Sequence, residues 1–378
     1  MRIGVAFGGK AVEHHHSVTS ALYILSKIER DGDDVHALYF AGDGRPARRA
    51  DAIDTVLRAL RETTLFAPGE TAPSSPEPRI RGYLEAAYDG SDTFTLGDLG
   101  RYDIVFPVFH GQGGEDGLIQ GLLEMLDVPY VGCDLLSTVV ANDKDLAKRL
   151  VRESGVPVAR HTCVTAAQWQ EDAAASLASL ERRIGLPLFV KPASLGSSIG
   201  VSRAADRAEA RHALDQVFRL CPLAVVEEAL DAREFGVGLI GLGEPSASLP
   251  LEFGKPDAPF MDHEAKYGPG AVDDDIPARI DDELSGKLRA SAAHVWRVLR
   301  LTGMARVDFF LCSDGRLLFN EVNTVPGFGR TSVFSRIWHA SGVPLNDLVE
   351  RLIGYGRERQ NARRRLQFSL DAHEEVHA

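Results

Sequence analysis

The segment from Ala305 to Asn323 concentrates residues able to do chemistry. Arg306 and Asp308 sit two apart in one strand-like run, Ala305 to Leu311, and Glu321 and Asn323 sit two apart in another, Leu317 to Asn323. Between them lies Cys312-Ser313-Asp314-Gly315-Arg316, whose Asp-Gly pair is a strong turn signal, so the runs are expected to form an antiparallel hairpin. Side chains alternate along a strand, so each pair shares a face, and three oxygen-bearing side chains and one arginine can converge. Such hard oxygen donors suit Mg²⁺, which binds through one or two carboxylates and leaves its other positions to water and phosphate oxygens. An arginine beside them would stabilise charge developing on a reacting oxygen. Taken alone, the hairpin fits equally well a pair of solvent-facing carboxylates bonded to Arg306. Thr324-Val325-Pro326-Gly327-Phe328-Gly329 follows directly, and its backbone N–H groups can turn toward the same place.

Lys191 ends the apolar run Leu186-Pro187-Leu188-Phe189-Val190, where its ammonium can reach a phosphate. Ser194-Leu195-Gly196-Ser197-Ser198-Ile199-Gly200 follows, a small-residue loop able to offer N–H and hydroxyl donors to an anion. There is no Walker A sequence and no GxGxxG at a strand-helix junction, which argues against P-loop and dinucleotide-binding classes. Val225-Val226-Glu227-Glu228 brings carboxylates to the end of another apolar strand, with Glu234 soon after. These glutamates suit an adenine amino group or ribose hydroxyls, and equally an exposed loop.

The elements that must carry these residues read as α/β throughout. Strands at Ile3 to Phe7 and Val35 to Phe40 bracket a helical pattern from Ser17 to Ile28, giving a βαβ opening. Ala67 to Pro78, rich in Pro, Ser and Glu, reads as a surface insertion. Asp103 to Phe109 is expected as a strand, His110 to Gly117 as a glycine-rich loop and Leu118 to Leu126 as a helix, closing a first unit near Gly132. A second unit contains a helix from Lys144 to Ser154, strands at Pro187 to Pro192 and up to Ser202, a helix around Arg207 to Phe218 and a strand Leu223 to Glu228. A third holds strands near Glu234 to Leu242, a helix from Asp281 to Leu301, the hairpin and terminal helices.

The 378 residues suffice for two or three packed units. With 44% hydrophobic and 25% charged residues, the composition is that of an ordinary globular chain. A net charge of -12 argues against a general nucleic-acid binder and leaves small anionic ligands as the natural partners. The four cysteines, Cys133, Cys163, Cys221 and Cys312, form no CxxC or metal spacing and suit a reducing compartment. The N-terminal apolar run is too short for a signal peptide, and no stretch reaches the roughly 20 apolar residues of a membrane helix.

In their order these segments resemble the D-alanine:D-alanine ligase branch of the ATP-grasp superfamily over nearly the whole chain. The resemblance rests on Phe7 to His14, His110-Gly111-Gln112-Gly113-Gly114-Glu115-Asp116-Gly117, Asn142-Asp143-Lys144, Val190-Lys191-Pro192, Gly196 to Val201, Glu264-Ala265-Lys266-Tyr267, Ala305 to Asp308, and Asn320 to Phe328. It implies an ATP-grasp fold with an N-terminal Rossmann-like α/β substrate domain (1–132), a central domain (133–227) and a C-terminal catalytic domain (228–378). Lys144 and Lys191 would contact ATP phosphates, and Glu227, Leu230 and Glu234 would bind adenine and ribose. Asp308, Glu321 and Asn323 would hold two Mg²⁺ ions, replaceable by Mn²⁺. Glu13 would anchor the first amino acid's ammonium, linked through Ser197 to Tyr267, with His110 close by, and Lys266 would approach the γ-phosphate. Arg306 and the Gly327 N–H would stabilise the tetrahedral oxyanion, while Ser332 and Val333 would receive the second amino acid's carboxylate. Phe260 to Ala271 would form a lid. The implied enzyme is a cytoplasmic homodimer of peptidoglycan precursor synthesis that takes ATP and D-alanine and contacts neither nucleic acid nor membrane.

Three positions depart from the family pattern. His14-His15-His16 stands where an acidic residue and valine are usual, and Gly329-Arg330 and Ser335 interrupt a threonine- and proline-containing pattern near the second-substrate site. Three readings therefore stand: D-alanyl-D-alanine synthesis, a related ligase taking D-lactate, D-serine or another amino acid in an antibiotic pathway or self-resistance, and a nucleotide-binding regulator without catalysis. Lys266-Tyr267 favours dipeptide formation, and Glu13, Arg306, Asp308, Glu321 and Asn323 together go beyond what binding alone requires.

Overall fold

The structure, a computed structural model, describes residues 1–28, 34–63, 76–254 and 274–366. Lys266, Tyr267 and the segment expected as a lid lie outside the described residues, as does the insertion up to residue 75.

In the first unit β1 (Arg2–Gly8) lies between β2 (Asp34–Phe40) and β3 (Ile104–Pro107) in a parallel sheet. Ile3, Val5, Ala6 and Phe7 are all fully buried, because helices cover both faces of the sheet and the strand must be apolar throughout. Those helices include α1 (His14–Lys27), α2 (Arg49–Glu62), α3 (Glu77–Tyr88) and α4 (Leu118–Met125); α5 (Leu135–Asn142) follows and buries Ala141 in the core of the third unit. Helix α1 begins three residues before the expected Ser17, and Pro76 to Pro78, assigned to the insertion from sequence, opens α3.

Helix α6 (Lys144–Glu153) begins where the Asp143 carboxylate accepts the N–H groups of Asp145 and Leu146, both at 3.0 Å, the usual N-cap arrangement. The central sheet has the antiparallel order β4-β7-β5-β6, from β4 (His161–Thr165), β5 (Leu188–Pro192), β6 (Ser202–Ala204) and β7 (Leu223–Glu228). Between its strands run α7 (Ala166–Glu171), α8 (Ala173–Arg183) and α9 (Arg207–Val217), and Leu177, Leu180, Ala213 and Leu214 pack with Leu188, Val190 and Val226 into a separate core. The strand expected to end at Ser202 instead begins there. Ser197 and Ser198 adopt left-handed φ of 53° and 55°, a conformation no strand can hold.

The third unit pairs β10-β8-β11-β12, with β9 (Ser246–Ala247) on β8 (Ala232–Gly241), β10 (Leu251–Glu252), β11 (Gly303–Cys312) and β12 (Leu317–Asn323). Helix α10 (Asp282–Val298) packs Leu288, Val295 and Trp296 on one face of this sheet. The opposite face merges with the N-terminal core through α11 (Val333–Ala340) and α12 (Leu345–Arg364), whose Phe334, Trp338, Leu348 and Leu352 are buried with Ile3 and Phe106. Two antiparallel sheets beside a parallel α/β unit are the ATP-grasp arrangement expected from sequence.

Candidate active site

The β11–β12 pairing sets Arg306 opposite Asn323 and Asp308 opposite Glu321, so the four side chains converge on one stretch of the hairpin. Gly315, at φ 83°, makes the reversal, with its N–H 2.9 Å from the Cys312 carbonyl. Arg306 chelates Asp308: Nε donates to Oδ1 and Nη2 to Oδ2, each at 2.8 Å. Asp308 is 1% exposed, so this fork supplies the pairing that a buried carboxylate requires. Each carboxylate oxygen keeps a second lone-pair direction, so the fork does not exhaust Asp308 as an oxygen donor. Asn323 Oδ1 accepts the Val325 N–H at 3.0 Å, which starts the turn toward Gly327.

A cavity of about 520 Å³ lies between the three units. Its walls bring together Glu13, His110, Lys144, Ser197, Arg306, Glu321, Asn323, Gly327, Ser332 and Val333, residues that sequence had singled out on segments far apart in the chain. Glu13 reaches it from the start of α1 and packs against Gly111, where φ is 66° and any Cβ would fall on the Glu13 carboxylate. Lys144, first residue of α6, donates to the Leu195 carbonyl at 2.6 Å and lies 3.6 Å from Glu321. Helix, small-residue loop and hairpin are thus joined at one ammonium. A Cβ on Gly327 would stand 2.9 Å from Ser332 Oγ, so a larger residue would push into the serine at the start of α11.

His110 organises the turn that carries Gly327. Its Nδ1 faces the Val325 carbonyl at 3.1 Å and must donate, which leaves Nε2 to accept from Ser20 Oγ at 3.1 Å. Ser20 Oγ in turn accepts the Phe328 N–H at 3.3 Å. Phe328 stacks edge-on against Phe106, ring centres 5.5 Å apart, so the turn is plugged into the N-terminal core. Burial holds the imidazole at a pKa of about 4, helped by nearby His16 and opposed by the Val325 carbonyl, so the neutral ring is the native form. Because that value lies below the ordinary 6.5, the unfolded chain binds the proton first, and stability is lost as pH falls from 6.5 toward 4. Over that window, chemical denaturation should show His110→Asn gaining up to about 3 kcal/mol relative to the wild type; an unchanged difference would remove the neutral-ring assignment.

Several wall residues had escaped the sequence reading. Glu115 and Asn142 lay inside recognised segments without an assigned role, His16 stood out only as part of a departing triplet, and Ser20, Asp274 and Arg336 carried no local signal. Burial pushes the Glu115 carboxyl up to about 7; the Gly111 N–H opposes this and neighbouring Glu13 adds to it. The three histidines diverge: His14 Nε2 lies 3.1 Å from the Tyr39 hydroxyl, His15 is exposed and His16 lines the cavity. Of the other positions that depart from the family pattern, Gly329 lines the cavity, whereas Ser335 is buried in α11 away from the lining.

Asp308, Lys191, Glu227, Leu230 and Glu234 stand outside the lining. Lys191 and Glu227 are on the neighbouring strands β5 and β7, Leu230 is in the turn after β7, and Glu234, on β8, accepts from Asn320 Nδ2 at 3.2 Å. Both Glu227 oxygens are engaged by lysines, Lys191 at 2.8 Å and Lys148 at 3.1 Å. Among the described residues no group of three His, Cys, Asp or Glu side chains has metal-binding geometry; the hairpin offers two carboxylates and an amide. That donor set fits Mg²⁺, which takes few protein ligands where phosphates complete its shell.

Two antiparallel sheets beside a parallel α/β unit, with a cavity between the three that is lined by carboxylates, guanidiniums and the Lys144 ammonium, define a member of the ATP-grasp fold. Residues 2–133 match the profile of the D-ala D-ala ligase N-terminus and residues 150–354 that of the D-ala D-ala ligase C-terminus. The D-alanine–D-alanine ligase of Geobacillus thermodenitrificans is 35% identical over 98% of this chain and 99% of its own length. The D-alanine–D-alanine ligase A of Salmonella typhimurium is 35% identical over the same shares. Among solved structures, the D-alanine-D-alanine ligase of Coxiella burnetii superimposes with a TM-score of 0.75 at 28% identity, covering 100% of this chain and 99% of that one. VanG D-Ala:D-Ser ligase from Enterococcus faecalis gives 0.74 at 26% identity, covering 94% and 99%. The chain belongs to the D-alanine–D-alanine ligase family.

Proposed function

We propose that this enzyme joins two molecules of D-alanine to D-alanyl-D-alanine at the expense of Mg·ATP, through a D-alanyl phosphate, for peptidoglycan precursor synthesis. The observation that carries the reading is the meeting of Glu13, Lys144, Arg306, Glu321 and Gly327 in one cavity. A carboxylate resists attack because it has no good leaving group; transfer of the γ-phosphoryl to one of its oxygens supplies one. Glu13 pairs with the ammonium of the first D-alanine and acts with Ser197 and with Tyr267, which lies outside the described residues, while His110 fixes the turn behind. Lys144, Lys191 and Lys266 neutralise phosphate charge, and Glu227, Leu230 and Glu234 receive adenine and ribose.

Asp308, Glu321 and Asn323 would hold the two Mg²⁺ ions, which supply charge neutralisation for the phosphate oxygens. The second D-alanine, its carboxylate at Ser332 and Val333, attacks the acyl phosphate carbon with its amine. A tetrahedral oxyanion forms between the Arg306 guanidinium and the Gly327 N–H, and collapses with loss of phosphate. The chain divides for this purpose at 132 and 227, with the first unit offering D-alanine and the other two gripping ATP. No helix among the described residues is long and apolar enough to cross a membrane. We take the enzyme to be cytoplasmic and to act as a homodimer.

Assays of phosphate release with D-alanine alone, and with D-alanine paired with D-serine, D-lactate or L-amino acids, test the reading when products are weighed by mass spectrometry. D-alanyl-D-alanine is expected as the main product. A D-Ala-D-Ser or D-Ala-D-lactate product instead would move the enzyme to the second reading, and no D-alanine-dependent product would overturn both.

A further inference from the structure

Lys148 has no part in the chemistry above, yet it is fully buried. It follows Lys144 by four residues on α6 and so shares its face. Its Nζ lies 3.1 Å from Glu227 Oε1, while Lys191 Nζ lies 2.8 Å from Oε2 of the same carboxylate. Two ammoniums share one carboxylate, so the triad carries a net charge of about +1. Side-chain exposure is 1% for Lys148, 3% for Glu227 and 11% for Lys191, so the surplus charge has its outlet at Lys191. The rings of Phe319, 5.8 Å from Lys148 Nζ, and Phe310, 5.9 Å from Lys191 Nζ, help to hold ammoniums out of water.

We propose that Lys148 is a positioning residue for ATP: by occupying one oxygen of Glu227 it leaves Lys191 with uncompensated positive charge directed at the nucleotide phosphates. The inference rests on the reading that Lys191 contacts those phosphates. The charges behave accordingly. Burial alone would raise the Glu227 pKa, but the two ammoniums hold it below the usual carboxylate range. Burial pushes Lys148 down despite Glu227, whereas at Lys191 the attraction of Glu227 outweighs burial and the pKa is raised. Glu227 thus favours the charged form of both lysines, and at Lys191 it more than offsets burial. Without Lys148, Glu227 would neutralise Lys191 within a closed pair.

Steady-state KM values for ATP and D-alanine, with calorimetric binding of Mg·ADP, test this in K148M, K148Q and K148R. K148M should raise the ATP KM and weaken ADP at least about tenfold, as expected for one charge near phosphate in a half-dry site, while the D-alanine KM stays within about twofold. K148Q, which removes the charge but keeps a donor for Glu227, should show the same loss, whereas K148R, which keeps the charge, should hold both nucleotide constants within about threefold of the wild type, a split that a merely structural role would not give. A K148M or K148Q constant within about twofold of the wild type, or a K148R variant as weak as K148M, would overturn the proposal. Should K148M not fold, K148Q and K148R still decide. Failure of the ligase reading shows separately, as absence of D-alanine-dependent turnover in the wild type, and ADP binding reads the triad even then.

Discussion

Glu321→Ala is expected to lower kcat by at least about a thousandfold, the scale of the several kcal/mol that metal-assisted charge neutralisation contributes to a transition state. Glu321 stands opposite Asp308 in the hairpin and lines the cavity, 3.6 Å from Lys144. Removing it takes away one of two carboxylates in the donor set and the anionic neighbour of Lys144. Its side chain is 31% exposed and the N···O distance is long, and Lys144 keeps its bond to the Leu195 carbonyl, so the variant should unfold at nearly the wild-type denaturant concentration. Glu321→Gln, which keeps one oxygen donor without the charge, should retain partial activity at raised Mg²⁺. The checks are phosphate release across a Mg²⁺ titration and Mn²⁺ binding followed by electron paramagnetic resonance. Near-normal turnover with an unchanged metal requirement would refute the assignment of Glu321 as a ligand.

That this prediction can be framed from four residues reflects how much of the hairpin was legible in the chain. An Asp-Gly turn fixes the reversal and a period of two fixes the faces, so the pairing of Arg306 with Asn323 and Asp308 with Glu321 follows from local rules. The edges of α6 and β7 were legible for a similar reason: Asp143 caps the one, and an apolar run ends in carboxylates at the other.

What local pattern cannot report is which face another unit will cover. Lys148 lies on a helix whose other side is solvated, and a lysine there reads as surface until Glu227 of β7 and Phe319 of β12 close over it. Ser20, His110 and Phe328 become one hydrogen-bonded chain only when α1, the glycine-rich loop and the turn after β12 meet. Asp274 and Arg336 join the cavity wall in the same way, across a long stretch of chain. Ser197 and Ser198 illustrate a different limit: they take left-handed backbone that composition assigns to glycine, so the loop was legible but the extent of the strand beyond it was not.

Arg306→Lys separates the catalytic from the structural use of the same guanidinium. In the native protein that group forks onto Asp308 with two bonds of 2.8 Å, lies 5.3 Å from the Phe253 ring centre and borders the cavity beside Gly327. Arg306→Met would leave Asp308, 1% exposed, without its partner, and a stranded buried carboxylate costs about 3 kcal/mol or more. Loss of activity there would confound folding with chemistry. Lysine keeps a positive charge against Asp308 and most of the fold's stability, but a single ammonium cannot bridge both carboxylate oxygens and also aim a planar donor at the reacting oxygen. Its kcat should fall by about a hundredfold to a thousandfold, the cost of one lost oxyanion donor, with the D-alanine KM within about threefold. The split arises because the oxyanion exists only after the amine has attacked, so the donor acts on the transition state and not on bound D-alanine. A variant that raised KM and left kcat intact would place Arg306 at the ground-state carboxylate instead, and Gly327 would then be the sole donor assigned to the oxyanion.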